Sequence, residues 1–355
     1  MMKLRNSATA SPARVVILGG SGFIGSHLTR YFQEGVETIG FSGGESPLNP
    51  VAERGPASTR GEPTGLVLGS GGKGDSPPLN LYFETVSLSS KELDLTAPSA
   101  AGILAGIIKK EDTLIFASCL TRDKGEDLPT LKKNLAMAEN VGLFLEQHGC
   151  GHLIYLSSDA VYKDGLALVR EDSECKPGGL YGMTHVMREA MMAHSSNKTG
   201  VPLAILRPCG VHGPGDTHNG YGPNRFLRTA LAKGKIFLFG RGEETRDHIF
   251  VGDICRLIGL CAAHGGAGTL NLASGRAHSF LEVAQAVVGA VDKPVEIEYL
   301  ARSGPITHRH FDVTAILRIF PQFKFTGLEE GLKQTLQATT AIPVGGSGLA
   351  QGSHP

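Results

Sequence analysis

Residues 15–25 read Val15-Val16-Ile17-Leu18-Gly19-Gly20-Ser21-Gly22-Phe23-Ile24-Gly25. The apolar run Val15–Leu18 predicts a buried strand. The residues after the glycines, Ser26-His27-Leu28-Thr29-Arg30-Tyr31-Phe32, carry apolar side chains at helical spacing. Gly19, Gly22 and Gly25 therefore fall on a strand-to-helix turn. Without side chains the backbone there can approach phosphates closely. The helix N-terminus adds unpaired N–H groups and a partial positive charge, which suits a dinucleotide pyrophosphate. The spacing alone is common; its place between strand and helix is what gives it weight.

Outward from this turn, apolar runs alternate with helical patterns. Val36–Phe41 predicts a second strand, and Thr85–Leu88 and Leu93–Leu95 two short ones. Ala100–Lys110 predicts a helix ending in two lysines, Leu114–Ala117 a strand, Leu131–His148 a long helix closed by Gly149, and His152–Ser157 another strand. This alternation predicts an α/β fold, a Rossmann doubly wound parallel sheet covered on both faces. Residues 43–80 break the rhythm. They are rich in Gly and Pro and read as a surface insertion. Gly69-Ser70-Gly71-Gly72-Lys73-Gly74 within it is no P-loop, because Lys73 is followed by Gly and no strand-to-helix context is evident. The tail, 342–355, is rich in small residues and reads as disordered.

The 355 residues carry 34 Lys+Arg and 34 Asp+Glu, so no basic excess points to nucleic acid. No stretch has the length and apolarity to cross a bilayer, and the N-terminus has no signal-peptide pattern. The six cysteines are scattered without a CxxC, which reads as a reduced, cytoplasmic protein without disulfides or a zinc site. Thr307-His308-Arg309-His310 lacks a third convergent ligand, so no metal site is expected.

Further along lie Ser157-Ser158-Asp159-Ala160-Val161-Tyr162 at a strand end and Tyr181-Gly182-Met183-Thr184-His185 opening a helix. Arg207-Pro208-Cys209-Gly210-Val211-His212-Gly213-Pro214 and Gly240–Asp247 followed by Val251-Gly252-Asp253 complete the series. In this order the motifs resemble the extended short-chain dehydrogenase/reductase superfamily, specifically its nucleotide-sugar epimerases, dehydratases and reductases. The resemblance covers residues 14–338 apart from the insertion. It implies an NAD(P)-binding domain over 14–206. It also implies a smaller C-terminal α/β substrate-binding lobe over 207–338, some of whose segments return to the sheet.

The resemblance assigns Tyr181 as the acid/base and Ser158 as the hydroxyl bonding the same substrate oxygen. A phenol has an ordinary pKa near ~10, so such a tyrosine needs nearby positive charge to act as a base. The family supplies a lysine four residues after the tyrosine. Here that residue is His185, on the same helix face. Three readings stay open: His185 substitutes with altered pH dependence, the tyrosine works with help from the nicotinamide alone, or the chain binds the dinucleotide without catalysis. Asp159-Ala160 stand where the dehydratases carry Asp-Glu, so dehydration lacks a partner. Epimerisation is the first reading and 4-ketosugar reduction the second. Cys119, just after Leu114–Ala117, has two readings, a small loop residue first and a residue facing the active site second; Cys209 reads as packing.

For the cofactor, NAD or NADP, the resemblance implies contacts from Gly19, Gly22, Phe23, Ile24 and Gly25 and from Ser42 at the end of the second strand. Asp94 and Leu95 would meet adenine. Phe116, Ala117, Ser118 and Asn134 would lie on the nicotinamide side with Tyr181, His185 and Pro208. Val36–Phe41 runs into Ser42-Gly43-Gly44 with no carboxylate at its end, and Lys91 becomes relevant to a 2′-phosphate if Thr85–Leu88 is the second strand instead; sequence does not choose between the two strands, and the reading leans to NADP with NAD open. For a nucleotide-sugar substrate it implies Ser118, Ser158, Asp159, Arg225, Arg246 and Arg309. Gly210 and His212 replace the Asn and Tyr that many members carry. A homodimer through the Leu131–His148 and Tyr181–His194 helices is also implied.

Overall fold

The computed structural model describes residues 13–37 and 80–340. The N-terminal residues, most of the Gly/Pro-rich insertion, Ser42 and the tail lie outside them. The central sheet has six strands: Ala13–Leu18 (β1), Phe83–Leu88 (β2), Thr113–Phe116 (β3), His152–Leu156 (β4), Leu203–Pro208 (β5) and Gly268–Leu272 (β6). Their spatial order is β6-β5-β4-β3-β1-β2, and every pairing is parallel. Around the sheet lie helices Phe23–Glu34 (α1), Ala100–Ile107 (α2), Leu128–Gln147 (α3), Leu180–Thr199 (α4), Pro223–Lys233 (α5), Val251–His264 (α6) and Phe280–Ala290 (α7). Two more follow, Thr314–Ile319 (α8) and Leu328–Thr340 (α9).

Side-chain alternation along β1 shows why the sheet is covered twice. Val15 and Ile17 pack with Leu28 and Phe32 of α1 and Ile254 and Leu257 of α6. Val16 and Leu18 point the other way, to Leu104 of α2 and Phe144 of α3. Each such fully buried side chain contributes about 1.5–3 kcal/mol. A third core, with Phe226, Leu238, Val283 and Leu332, joins α5, α7 and α9 to the parallel pair Lys235–Phe239 and Glu296–Leu300. The chain leaves β1 toward β2 on one side and reaches β3 on the other. The switch point between β1 and β3 therefore opens a crevice at the strands' C-terminal ends.

Four local expectations need correction. Val36–Glu37 is not the sheet's second strand; it pairs antiparallel with Asn80–Leu81 outside the central sheet. The seat beside β1 belongs to β2, in register from Ala13↔Phe83 to Leu18↔Leu88. Leu93–Leu95 forms no strand but a turn, because Asp94 accepts hydrogen bonds from the Thr96 N–H and hydroxyl at 2.9 and 2.7 Å. Helix α2 stops at Ile107, before both lysines, and α3 begins at Leu128, where Asp127 caps Thr130 N–H at 2.9 Å.

Candidate active site

The glycine turn connects β1 to α1. Gly19 has φ +95°, and a Cβ there would stand 2.8 Å from the Ser118 amide nitrogen. A Cβ at Gly25 would stand 2.0 Å from the Gly19 carbonyl oxygen. Only glycine lets the turn, the helix and the end of β3 meet this closely. Gly22 is the N-cap of α1 and supplies no side-chain acceptor, so the first-turn N–H groups at Phe23 and Ile24 remain available to an anion. The Leu88 carbonyl accepts from the Gly19 and Gly20 N–H groups at 2.8 and 3.1 Å. The end of β2 thus sits against the turn, and with it Ser89-Ser90-Lys91. Glu92 folds back there: its carboxylate accepts from the Ser89 N–H at 2.8 Å and from the Ser89 hydroxyl. These bonds hold Glu92 below its ordinary pKa. The C-terminal end of β2, Ser87-Leu88, carries no carboxylate, yet Glu92 brings one to it.

The remaining cofactor candidates have distinct settings. Leu95 is buried, and its carbonyl accepts from Asn140 Nδ2 at 2.9 Å. Phe116 is fully buried among core residues, while Ala117 and Ser118 are partly exposed at the end of β3. Asn134 spends both ends of its amide on the Leu120 backbone, at 2.8 and 3.0 Å, and so clamps the loop after β3. Pro208 closes β5 beside Leu272.

Tyr181 opens α4, and Ser158 caps a short turn at Asp159–Val161 with its hydroxyl accepting from the Ala160 N–H at 3.1 Å. Gly182 brings these two together. A Cβ at Gly182 would lie 2.2 Å from the Ala160 carbonyl oxygen and 2.4 Å from Pro177, so any larger residue would push α4 away. Burial raises the Tyr181 pKa, while the Ser158 hydroxyl and the Arg122 charge draw it down. The Arg122 guanidinium lies 5.3 Å from the Tyr181 ring centre.

His185 is 1 % exposed. Its ring meets the Tyr181 ring edge-on at 4.8 Å. Its Nδ1 lies 2.8 Å from the Tyr155 hydroxyl, and its Nε2 lies 3.7 Å from Cys119 Sγ. Burial lowers its pKa to about 3, and the Arg188 charge acts in the same direction. At neutral pH the imidazole is uncharged, so the first of the three readings cannot rest on an imidazolium. Arg188, one turn along α4, is fully buried. Its Nη2 donates to the Ser118 carbonyl at 2.7 Å, and its guanidinium lies 4.3 Å from the Phe116 ring centre and 5.2 Å from that of Tyr155. Its Nε and Nη1 have no hydrogen-bond partner among the described residues.

Beyond the serine, Asp159 faces Arg309 at 3.4 Å. Burial raises the Asp159 pKa, with Arg309 opposing. Arg246 and Arg309 lie on adjoining backbone, bridged as a parallel pair. Arg246 donates to the Thr307 carbonyl at 2.7 Å and hydroxyl at 2.6 Å, leaving its side chain partly exposed. Two guanidinium groups side by side suit a diphosphate. Arg225 is not part of this pair. It is exposed on α5 and stands 5.8 Å from the Tyr221 ring, which packs on Phe280, the ring beside Arg246. Gly210 has no room for an Asn side chain, because its Cβ would be 2.7 Å from the Asp247 carbonyl oxygen.

Sequence reasoning missed Tyr155, Arg188, Arg122 and Glu92, and ranked Cys119 first as a small loop residue and only second as one facing the site. The one available signal was an arginine at 188 on the buried face of α4, three residues after His185. Gly182 likewise stood inside the quoted motif without its role being legible.

The model of the family described as "NAD dependent epimerase/dehydratase family" matches residues 15–273. A UDP-glucose 4-epimerase of Mycolicibacterium smegmatis is 26 % identical over 333 residues, 91 % of this chain and 97 % of that one. Among solved structures, the Thermus thermophilus UDP-glucose 4-epimerase in complex with NAD superposes with TM-score 0.70 at 18 % identity, covering 93 % of this chain and 99 % of that one. A GDP-L-fucose synthetase from Naegleria fowleri bound to NADP superposes with TM-score 0.72 at 14 % identity, covering 94 % of each. With a matching model that runs from β1 through the end of β6, and the glycine turn in place between β1 and α1, this chain belongs to the NAD-dependent epimerase/dehydratase family.

Proposed function

We propose that the protein is an NAD-dependent nucleotide-sugar epimerase in which Ser158 and Tyr181 act on the sugar oxygen. The observation that supports this reading is the close approach of α4, at Gly182, to the short turn that Ser158 caps. The bound nicotinamide would take a hydride from the sugar carbon and return it to the other face. Tyr181 would remove the hydroxyl proton and give it back, while Ser158 holds the oxygen. Arg122 over the Tyr181 ring supplies positive charge near the phenol that neutral His185 does not. Arg246 and Arg309 would hold the diphosphate, with Arg309 also anchoring Asp159. That ion pair occupies Asp159, and Ala160 offers no second acid, which argues against dehydration.

The glycine turn, the uncapped N-terminus of α1 and the ends of β2 and β3 fit the dinucleotide. We read the cofactor as NAD over NADP, because the ionised Glu92 carboxylate at the end of β2 would accept ribose hydroxyls and repel a 2′-phosphate. Lys91 is the feature that favours NADP, and titration of both cofactors decides between them. The UDP-glucose 4-epimerases that the chain resembles make UDP-sugars the first substrates to try. A reductase with the same site would release oxidised cofactor in every turnover. An epimerase keeps its cofactor through the cycle, so epimer formation without net change in NADH absorbance supports the reading. Stoichiometric NADH or NADPH consumption overturns it in favour of reduction.

We also propose a homodimer through α3 and α4. Leu143, Met183 and Met187 are exposed on these helices, and Gly142 lets them pack closely against Ser195. Light scattering of the full chain tests this. Among the described residues no helix is long and apolar enough to cross a membrane.

A further inference from the structure

His185 is held by a chain of hydrogen bonds that the mechanism above does not use. Tyr155 lies on β4 and is fully buried. Its hydroxyl meets His185 Nδ1 at 2.8 Å, and among the described residues this is its hydrogen-bond contact. A neutral imidazole has one N–H, and the bond made at one nitrogen decides which nitrogen carries it. Two arrangements are possible. In the first, the Tyr155 hydroxyl donates to Nδ1, and Nε2–H donates to Cys119 Sγ at 3.7 Å. The Cys119 thiol then donates to the Leu120 carbonyl at 3.6 Å. Every donor has an acceptor. In the second, Nδ1–H donates to the Tyr155 oxygen, and the buried phenol hydrogen is left without an acceptor among the described residues. A buried donor with no acceptor forfeits its full desolvation cost, so the first arrangement is favoured.

We propose that Tyr155 is a positioning residue that locks His185 as its Nε2–H tautomer. Position 185 then presents a fixed, neutral N–H donor in place of a flexible cation. The proposal rests on reading His185 as part of the cofactor-facing site. Two further features support it. Sulfur is a weak acceptor, so the Nε2–H contact with Cys119 yields easily to a stronger one such as a ribose hydroxyl. The nearby Arg188 charge opposes protonation of the imidazole, so Nδ1 stays an acceptor for the Tyr155 hydroxyl as the pH falls. The lysine's two properties are thereby separated: His185 keeps the donor, and the permanent charge moves to the arginines around it.

The test is long-range 1H–15N correlation NMR of the full-length protein labelled at histidine, recorded between about pH 5 and pH 8. His185→Gln assigns the signals. The expected native result is an acceptor-type Nδ1 and a hydrogen-bearing Nε2 that do not titrate over this range. In Tyr155→Phe the lock is gone, so the expected result is a tautomer mixture, with affinity for NAD weakened about tenfold. An Nδ1–H pattern in the native protein overturns the proposal, as does an unchanged His185 spectrum in Tyr155→Phe. The native spectrum decides the matter if the Phe variant fails to fold. Absence of turnover with the Nε2–H pattern intact supports the lock and counts against the functional reading alone.

Discussion

Two buried arginines face the interior around α4, and their surroundings differ. Arg207, on β5, is paired with Glu189 through two hydrogen bonds of 2.9 and 2.7 Å and donates a third, of 2.9 Å, to the Tyr162 hydroxyl. Tyr162 passes its own hydrogen to Asn271 on β6 at 2.6 Å, and Ser157 donates to Glu189 at 2.5 Å. This network ties α4 to β4, β5 and β6, with the charges compensated. Arg188 is the residue before Glu189 in sequence, yet among the described residues it meets one carbonyl, two aromatic faces and the Cys119 sulfur, with no carboxylate paired to it. A buried charge that is paired serves the scaffold. One left without a carboxylate costs stability and is retained where charge is needed for another purpose. The contrast separates the part of α4 that holds the fold from the part that serves the site.

Substitution at the two arginines gives the widest separation. Arg207→Met leaves Glu189 buried and unpaired, and loss of about 3–5 kcal/mol of unfolding free energy is expected in urea titrations. Arg188→Met removes an uncompensated charge, so stability is expected to hold or rise by about 1 kcal/mol while turnover falls. Comparable destabilisation by both variants would erase the distinction. Gly182→Ala comes next. Its methyl would collide with the Ala160 carbonyl and displace Tyr181 from Ser158, and a loss of about 100-fold in kcat with a near-native circular dichroism spectrum is expected.

His185→Lys sets a second cation above Arg188 in a pocket closed by Tyr155 and Cys119. The single variant is expected to lose stability, and adding Arg188→Met is expected to restore part of it. The coupling should be on the order of 1 kcal/mol or more in a double-mutant cycle. Additive effects would mean that the two positions do not share one electrostatic environment. The last prediction concerns pH. His185, His212 and His248 are held neutral, with pKa values lowered to about 3, about 4 and about 3 from an ordinary 6.5. Unfolding exposes them, so below 6.5 the unfolded state binds more protons than the folded one. Their contribution to stability is therefore full above 6.5 and declines as the pH falls toward 4. Melting temperature should drop over that window, and drop less in His185→Gln. Equal slopes in both proteins would show that His185 is not held neutral.

Some of this was legible in sequence, for physical reasons. The glycine turn could be read because its neighbours are local: strand, turn and helix are contiguous from Val15 to Phe32. Tyr181 and Ser158 sit in short motifs whose order along the chain follows the order of the strands, and packing brings them together. Two segments, Val36–Phe41 and Thr85–Leu88, competed for the second strand, and the sequence did not choose between them. Val36 follows α1 directly, but the seat beside β1 belongs to Phe83–Leu88, which chain proximity does not indicate. Glu92 escaped because its carboxylate reaches Ser89 by folding backward. Tyr155, Cys119 and Arg188 come from β4, the loop after β3 and α4, and they meet only through the sheet order β3-β4 and the packing of α4 on it. No linear pattern encodes that meeting.

The most direct measurement is incubation of the full chain with NAD and, in turn, UDP-, GDP- and dTDP-sugars, followed by chromatography of the products, with Tyr181→Phe in parallel. The account predicts that the native protein interconverts one pair of epimers without net reduction of the cofactor, and that Tyr181→Phe loses at least about 100-fold in rate. Native protein that binds NAD yet converts none of these sugars, or a Tyr181→Phe variant as fast as the native protein, would contradict it.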